Sequence, residues 1–240
     1  MRAILEAAGK ASVEAEARLI AQIIKTCGEP VHLVGHSWGG AVALKLAMAL
    51  PEWTKSLTII EPAVFHLLRD SACSADRKLN GEIEAMAGAV SAAAACGDNE
   101  GGMARFIDFW NGPNTWSQTS PRLKTMLRDQ IGQAVNNFVA GYNETWLLSE
   151  AAQISCPTLA IMGMQSVPLA QRVTEMLAET IPGARLNLIA GAGHMAPLTD
   201  PHIVDPLLSA HIRQAERTHG GANVQPFVPH PLDLTAQQAA

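Results

Sequence analysis

The chain has 240 residues, of which 48% are hydrophobic and 16% are charged. This balance is typical of one globular domain, or of one domain with a sizeable insertion, and it excludes a wholly disordered chain. The formal net charge is −5 and the sequence has no run of Lys and Arg, which argues against nucleic acid as a partner.

The four cysteines are widely scattered and form no C-x-x-C pair, so we expect no zinc or other metal site and no disulfide framework. No uninterrupted apolar stretch reaches about 18 residues, which argues against a membrane-spanning helix. The first residues lack the long apolar region of a signal peptide. The sequence therefore predicts a soluble, reduced, cytoplasmic protein.

The first elements alternate between helix and strand. Residues 12–27 have a 3.6-residue apolar period and begin at Ser12, a suitable N-cap. A short strand at 31–34 leads through a glycine-rich turn into an apolar helix at about 39–50, and a buried strand follows at 57–60. This order predicts parallel strands with helices on both faces of the sheet.

The next 85 residues differ in character, because 66–150 is alanine-rich, has a helical period and lacks a convincing strand. Strands resume at 157–162 and 185–189, each followed by a helix, at about 168–181 and 202–217. We therefore predict an α/β fold in three parts: a discontinuous core at 1–65 and 151–217, a helical insertion at 66–150, and a loose C-terminal tail at 218–240.

The strongest chemical signal is Gly35-His36-Ser37-Trp38-Gly39, a G-x-S-x-G pattern between a strand and a helix. In that setting the serine occupies a tight turn, the flanking glycines remove Cβ atoms that would clash, and the hydroxyl projects from the strand end. The backbone N–H of Trp38 lies at a helix N-terminus, where it can stabilise an oxyanion. The alternative is an ordinary serine cap at a glycine-rich helix start.

A serine hydroxyl needs a base to act as a nucleophile, and the chain has eight histidines. We predict His194 as this base because it follows a buried strand in a glycine-rich loop, near where the strand carboxyl ends gather. We interpret His36 as a packing residue and His32 as structural. The other histidines lie in the insertion, on the last helix or in the tail: His66, His202, His211, His219 and His230.

The base in turn needs an orienting carboxylate. The loop after the strand at 157–162 contains no acid. Glu61 ends the strand at 57–60, one strand over from Ser37, and a carboxylate placed there needs a partner. We predict that this partner is His194, while a bond to loop backbone or to an Arg stays open as the alternative. Weaker candidates for the acid are Asp70 and Asp200.

Three segments together resemble α/β-hydrolase-fold serine hydrolases over about residues 13–215. They are Val-His-Leu-Val-Gly-His-Ser-Trp-Gly-Gly (31–40), Ile-Ile-Glu-Pro (59–62) and Gly-Ala-Gly-His-Met-Ala-Pro-Leu (191–198). The resemblance implies that Ser37 is the nucleophile, that His194 is the base and that 66–150 is a cap over the active site.

The resemblance also bears on the acid. Many relatives place it in the loop after the strand corresponding to 157–162, where Ser166 stands here. Others, such as haloalkane dehalogenases, place it after the strand that follows the nucleophile helix, and Glu61 matches that arrangement. A dehalogenase or epoxide hydrolase is disfavoured, because both use an Asp nucleophile.

The start of the chain departs from the family pattern. Relatives have several strands before the nucleophile and a His-Gly loop that gives a second oxyanion donor, whereas 36 residues precede Ser37 and contain no His-Gly pair. The strand at 31–34 is then an unpaired apolar edge. We expect either an N-terminally truncated gene product or a minimal variant whose edge is covered by a homodimer.

These patterns favour a serine hydrolase that cleaves a small hydrophobic carboxylic ester through an acyl-serine intermediate, without a cofactor. Three alternatives stay open: an impaired hydrolase-like fragment or binding protein, a hydrolase completed by a second protomer, and a serine C–C hydrolase or perhydrolase of the same fold. Candidate pocket residues in the insertion are Phe106, Phe109, Trp110 and Trp116, with Met103 and Met126.

Overall fold

The computed structural model describes residues 12–219, so the tail predicted at 218–240 lies almost wholly outside the described residues. Within this range the strands form one parallel four-stranded sheet in the order β1-β2-β3-β4. The strands are β1 (Val31–His36), β2 (Thr54–Ile60), β3 (Thr158–Gly163) and β4 (Arg185–Ile189). The predicted α/β fold class, a mostly parallel sheet flanked by helices, is therefore confirmed.

The central strands are buried on both faces, as expected for a parallel sheet covered by helices. The outer strands are not. Val34 of β1 is 47% exposed, and Leu188 of β4 is also exposed. Within the described residues β1 pairs with β2 alone, so its other edge carries unpaired backbone groups, as the sequence predicted.

One helix precedes β1 and another follows it. Helix α1 (Val13–Cys27) starts at Ser12, whose Oγ accepts a 3.0 Å hydrogen bond from the N–H of Ala15. One face of α1 packs against α2 (Trp38–Ala49), which is buried along most of its length. A second apolar face of α1 is exposed to solvent and includes Leu19 and Ile23.

The segment between β2 and β3 is helical, in agreement with the sequence. Its helices are α3 (His66–Arg69), α4 (Ser74–Ala95), α5 (Asn99–Asn111), α6 (Thr115–Gln118), α7 (Pro121–Arg128), α8 (Ile131–Tyr142) and α9 (Leu148–Ala151). The Arg69 guanidinium donates to the carbonyl oxygens of Tyr142 (2.7 Å) and Glu144 (3.2 Å), which joins the first helix of the segment to its end.

Three further helices complete the chain: α10 (Pro168–Thr180), α11 (Ala196–Thr199) and α12 (Pro201–His219). Arg172 of α10 forms a 2.9 Å ion pair with the buried Asp76 of α4, which fixes the helical segment to the core. Helix α12 packs against β2, where His211 Nε2 donates to the Leu57 carbonyl over 3.2 Å.

The parallel order brings the carboxyl ends of all four strands to one edge of the sheet, which is where ligands bind in open α/β sheets. The residues that follow β1, β2, β3 and β4 therefore meet there. No helix in the described part of the chain combines the length and apolar character needed to cross a membrane.

Candidate active site

Ser37 occupies a strained turn between β1 and α2. Its φ is 51° and its ψ is −117°, a region that residues other than glycine rarely adopt. The turn is held on both sides of the residue. The Ser37 N–H donates to the Ile60 carbonyl over 3.0 Å, and the Ser37 carbonyl accepts from the Ala63 N–H over 2.9 Å. The backbone of the next strand thus keeps the side chain at the strand ends.

Close packing around this turn needs two glycines. A Cβ atom at Gly35 would collide with the backbone carbonyl of Gly39, and a Cβ at Gly40 would lie 2.8 Å from Pro62 Cβ. At Gly39 itself no atom lies within 4 Å of the added Cβ. The expected steric role is therefore confirmed for Gly35 and wrong for Gly39, since Gly40 is the second crowded position.

His194 lies between Ser37 and Glu61. Its Nε2 is 3.1 Å from Ser37 Oγ, and its Nδ1 is 2.7 Å from Glu61 Oε2. Because a carboxylate accepts, Nδ1–H donates to Glu61, which leaves Nε2 unprotonated and able to accept from the Ser37 hydroxyl. His194 is 4% exposed and Glu61 is 1% exposed, so little water competes for these bonds.

Glu61 follows β2 with a φ of 44°, which turns its side chain toward the neighbouring loops. Its second oxygen, Oε1, accepts from the Gly163 N–H (2.7 Å) and from Ser166 Oγ (2.5 Å). Burial alone raises the pKa of this carboxyl group, but the hydrogen bonds from His194, Ser166 and Gly163 outweigh burial and leave the pKa below its ordinary value. The group is therefore ionised near neutral pH.

The competing acids have other partners. Asp70 is bound by the guanidinium of Arg69 at 2.7 Å, and Asp200 accepts a 2.6 Å hydrogen bond from Thr199 Oγ1. Of the three acids considered from the sequence, Glu61 is the one that contacts His194.

A cavity of about 560 Å³ opens above Ser37 and His194, between the strand ends and helices α4, α5 and α8. Two of the aromatic residues predicted from the sequence, Phe106 and Trp110, lie on its wall. The other two do not. Phe109 instead packs edge-on against Trp110 with ring centroids 5.1 Å apart, and Trp116 is buried beside α7 under the ammonium group of Lys124.

Comparison with known proteins assigns the chain to a family. Residues 17–201 match the sequence model of the alpha/beta hydrolase fold family. The chain belongs to this family. A protein of Azorhizobium caulinodans provisionally named carbamate hydrolase RutD is 24% identical over 220 residues, which cover 83% of this chain and 73% of that protein.

Two other similarities are more limited. The lipase LipV of Mycobacterium tuberculosis is 41% identical over 54 residues, and the match spans 22% of this chain and about a fifth (21%) of the lipase. The solved structure of Est816, described as an N-acyl homoserine lactone degrading enzyme, superposes with a TM-score of 0.61 at 18% identity. That superposition covers 85% of this chain and 76% of Est816, and it supports the fold.

Two residues of this alpha/beta hydrolase support His194 in ways that the sequence did not predict. His36 Nε2–H donates to the His194 carbonyl over 2.7 Å, and Trp110 stacks on the imidazole with ring centroids 4.6 Å apart. Burial and the neighbouring His194 lower the pKa of His36, so it is a neutral donor. Its position at the end of β1 was the available sequence signal for a role beyond packing.

Trp38 begins helix α2, and its backbone N–H belongs to the first turn, where amides have no acceptor within the helix. Its side chain lines the hydrolase cavity, and Nε1–H donates to Glu16 Oε2 over 2.8 Å. Among residues 12–219 no three His, Cys, Asp or Glu side chains are grouped so as to hold a metal ion.

Proposed function

We propose that this hydrolase cleaves small hydrophobic carboxylic esters through an acyl-serine intermediate, with Ser37, His194 and Glu61 as its catalytic triad. The observation that carries the proposal is the continuous hydrogen-bonded chain from Ser37 Oγ through both ring nitrogens of His194 to Glu61. It lies at the base of a largely apolar cavity that has room for a small molecule.

Acylation follows from this arrangement. His194 Nε2 takes the proton of Ser37 Oγ as the oxygen attacks the ester carbonyl carbon. The Glu61 carboxylate holds the ring in the required tautomer and stabilises the imidazolium that forms. Collapse of the tetrahedral intermediate breaks the ester C–O bond, and His194 returns the proton to the departing alcohol oxygen.

The negative oxygen of the tetrahedral intermediate faces the first turn of α2, a helix of 12 residues. The Trp38 N–H donates to that oxygen, and the positive end of the helix adds to its stabilisation. In the second half of the reaction, His194 removes a proton from water, the hydroxide attacks the acyl carbon, and Ser37 leaves with the proton restored.

The cavity wall supports a hydrophobic substrate. Helices α4, α5 and α8 contribute apolar side chains such as Ile83, Phe106 and Phe138, so the helical segment at 66–150 acts as a cap over the site. The cavity volume of about 560 Å³ lies within the usual range for small-molecule pockets. The lactone named for Est816 is a cyclic ester, and the lipase relative is also named for ester cleavage.

The test is labelling by a serine-directed fluorophosphonate, read by intact mass, followed by hydrolysis of p-nitrophenyl esters of increasing acyl length. We expect one adduct on the wild-type protein, none on Ser37→Ala and slow labelling of His194→Ala. Ser149→Ala is the matched control, because Ser149 is an exposed serine outside the cavity. No adduct on a wild-type sample with native circular dichroism would contradict the proposal and favour a non-catalytic binding protein.

A further inference from the structure

Among the described residues that line the cavity, Glu84 is the one that carries a carboxylate. It lies on α4 at the exposed rim, one turn from Asn80, which is itself buried on the same wall. Most of the other residues around it are apolar or aromatic. Because Glu84 is exposed to solvent at this rim, it can carry its charge beside the apolar wall.

The Glu84 carboxylate is held in one orientation. Tyr142 Oη donates to Oε1 over 2.9 Å, and Asn80 Nδ2 donates to the same oxygen over 2.9 Å. The hydrogen bond to Glu84, together with burial, raises the pKa of Tyr142, so its hydroxyl stays a donor. Within residues 12–219 the other oxygen, Oε2, has no hydrogen-bond partner, which leaves it available to a bound molecule.

No positive side chain of the described residues lines the cavity to neutralise this charge. Arg69 lies over the Tyr142 ring at 5.2 Å, is paired with Asp70 at 2.7 Å and interacts electrostatically with Glu84, but it does not line the cavity. His66 lines the wall, but burial lowers its pKa to about 4, so it is neutral. The rim therefore carries a negative charge without a lining counter-ion.

Aromatic faces complete the environment. Trp38, Phe106, Phe138 and Tyr142 all line the same cavity. A carboxylate beside aromatic rings and aliphatic walls is complementary to an organic cation, whose charge is attracted by both the carboxylate and the ring faces while its alkyl groups fill apolar space. An ester with a carboxylate or phosphate group would instead meet repulsion from Glu84.

We infer that Glu84 is a specificity residue that binds an alkylammonium group on the ester substrate, with Tyr142 and Asn80 as its positioning residues. This inference rests on the proposed ester hydrolysis and adds no chemical step to it. The ammonium group sits at the cavity rim while the carbonyl carbon reaches Ser37.

A pair of isosteric esters tests the inference. Butyrylcholine and 3,3-dimethylbutyl butyrate have the same shape and differ by one positive charge. We expect the wild-type protein to show a kcat/KM ratio, cation over neutral, of about 10, and Glu84→Gln to bring this ratio close to 1. Glu82→Gln is the matched control, since Glu82 is an exposed acid on α4 outside the cavity, and it should keep the wild-type ratio.

Protection of Ser37 from labelling is the second readout. Tetramethylammonium should slow fluorophosphonate labelling of the wild-type and Glu82→Gln proteins, and it should not slow that of Glu84→Gln. A wild-type protein that cleaves both esters equally, without protection by tetramethylammonium, overturns the role of Glu84 and leaves ester hydrolysis standing. A protein that is neither labelled nor active overturns the proposed function, and this inference with it.

Discussion

Ser166 donates a 2.5 Å hydrogen bond to Glu61 across neighbouring strand ends, and the same carboxylate binds His194 through its other oxygen. The loop after β3 thus supplies a hydroxyl donor, while the carboxylate itself comes from the end of β2. Both oxygens of Glu61 are occupied by protein donors, which fixes its plane relative to the imidazole.

Removal of the Ser166 hydroxyl deletes one of the hydrogen bonds that hold the Glu61 carboxylate. We expect Ser166→Ala to lower the free energy of unfolding by about 1.5–3 kcal/mol, since it deletes a hydrogen bond to a buried charge. The pKa of Glu61 should rise, because one of the bonds that lower it is lost. The loss of unfolding free energy as pH falls below 4.5, the ordinary pKa of this group, should therefore be smaller in Ser166→Ala than in the wild-type protein. Urea unfolding as a function of pH measures both effects, and an unchanged pH dependence of stability argues against the assigned role.

The identity of the acid can be tested by two amide substitutions. Glu61→Gln keeps the shape of the side chain but removes the charge that stabilises protonated His194, so we expect kcat to fall by about 10³–10⁴-fold. Asp200→Asn should retain most of the activity, because Asp200 is bound to Thr199 instead. Steady-state hydrolysis of one p-nitrophenyl ester by the wild-type protein and both variants measures these changes in kcat. A small loss of kcat in Glu61→Gln together with a large loss in Asp200→Asn would show that the acid is assigned wrongly.

Three glycines near Ser37 should respond differently to alanine. We expect Gly39→Ala to be tolerated within about 1 kcal/mol of unfolding free energy, because its Cβ meets no neighbour. Gly35→Ala should prevent correct folding or abolish labelling of Ser37, since its Cβ collides with the Gly39 carbonyl. Gly40→Ala should also be severe, because its Cβ lies 2.8 Å from Pro62 Cβ. Expression, thermal unfolding and fluorophosphonate labelling rank the three, and equal behaviour would contradict this picture.

His66 should make stability depend on pH. It is 2% exposed, and burial lowers its pKa from 6.5 to about 4 in the folded chain. Between these values the unfolded chain binds the additional proton, so the free energy of unfolding decreases as pH falls from 6.5 toward 4. The full difference is on the order of 3 kcal/mol.

The control for this effect is His66→Gln, which cannot titrate in that range. Urea unfolding at pH 7 and at pH 4.5 should show a smaller loss for the variant than for the wild-type protein. The contribution of Glu61 falls in a lower window, because its depressed pKa means that its stabilisation is lost only below its ordinary value of 4.5. Parallel slopes for the two proteins would exclude His66 as the titrating group.

Much of the candidate site was predictable, because Ser37, Glu61 and His194 each lie after the end of a strand. Parallel pairing brings such positions to one edge of the sheet, so local patterns located Ser37, His194 and Glu61 without knowledge of distant contacts. The spacing of apolar residues likewise predicted the helical nature of 66–150.

What the sequence could not specify depends on tertiary packing. An apolar residue on a helix can face either the core or a cavity, and the sequence pattern is the same in both cases. The pattern therefore could not show that Phe109 and Trp116 lie away from the cavity wall. The bond from His36 to the His194 carbonyl joins residues 158 positions apart, so the position of His36 at the end of β1 does not by itself specify this partner. Similarly, the crowding at Gly40 arises from Pro62, two residues past the end of β2. The homodimer expected from the sequence stays a prediction that sedimentation can test.

The edge position of β1 has a consequence for the turn at Ser37. Among the described residues this strand is hydrogen-bonded on one side, to β2, yet it ends at the most constrained turn of the site. We expect the backbone amides of β1 that donate to β2 to exchange with solvent more slowly than those that face away from it. The turn that presents Ser37 thus owes its shape to the bonds of Ser37 with Ile60 and Ala63. A local opening between β1 and β2 would relax the strained serine before the rest of the core unfolds.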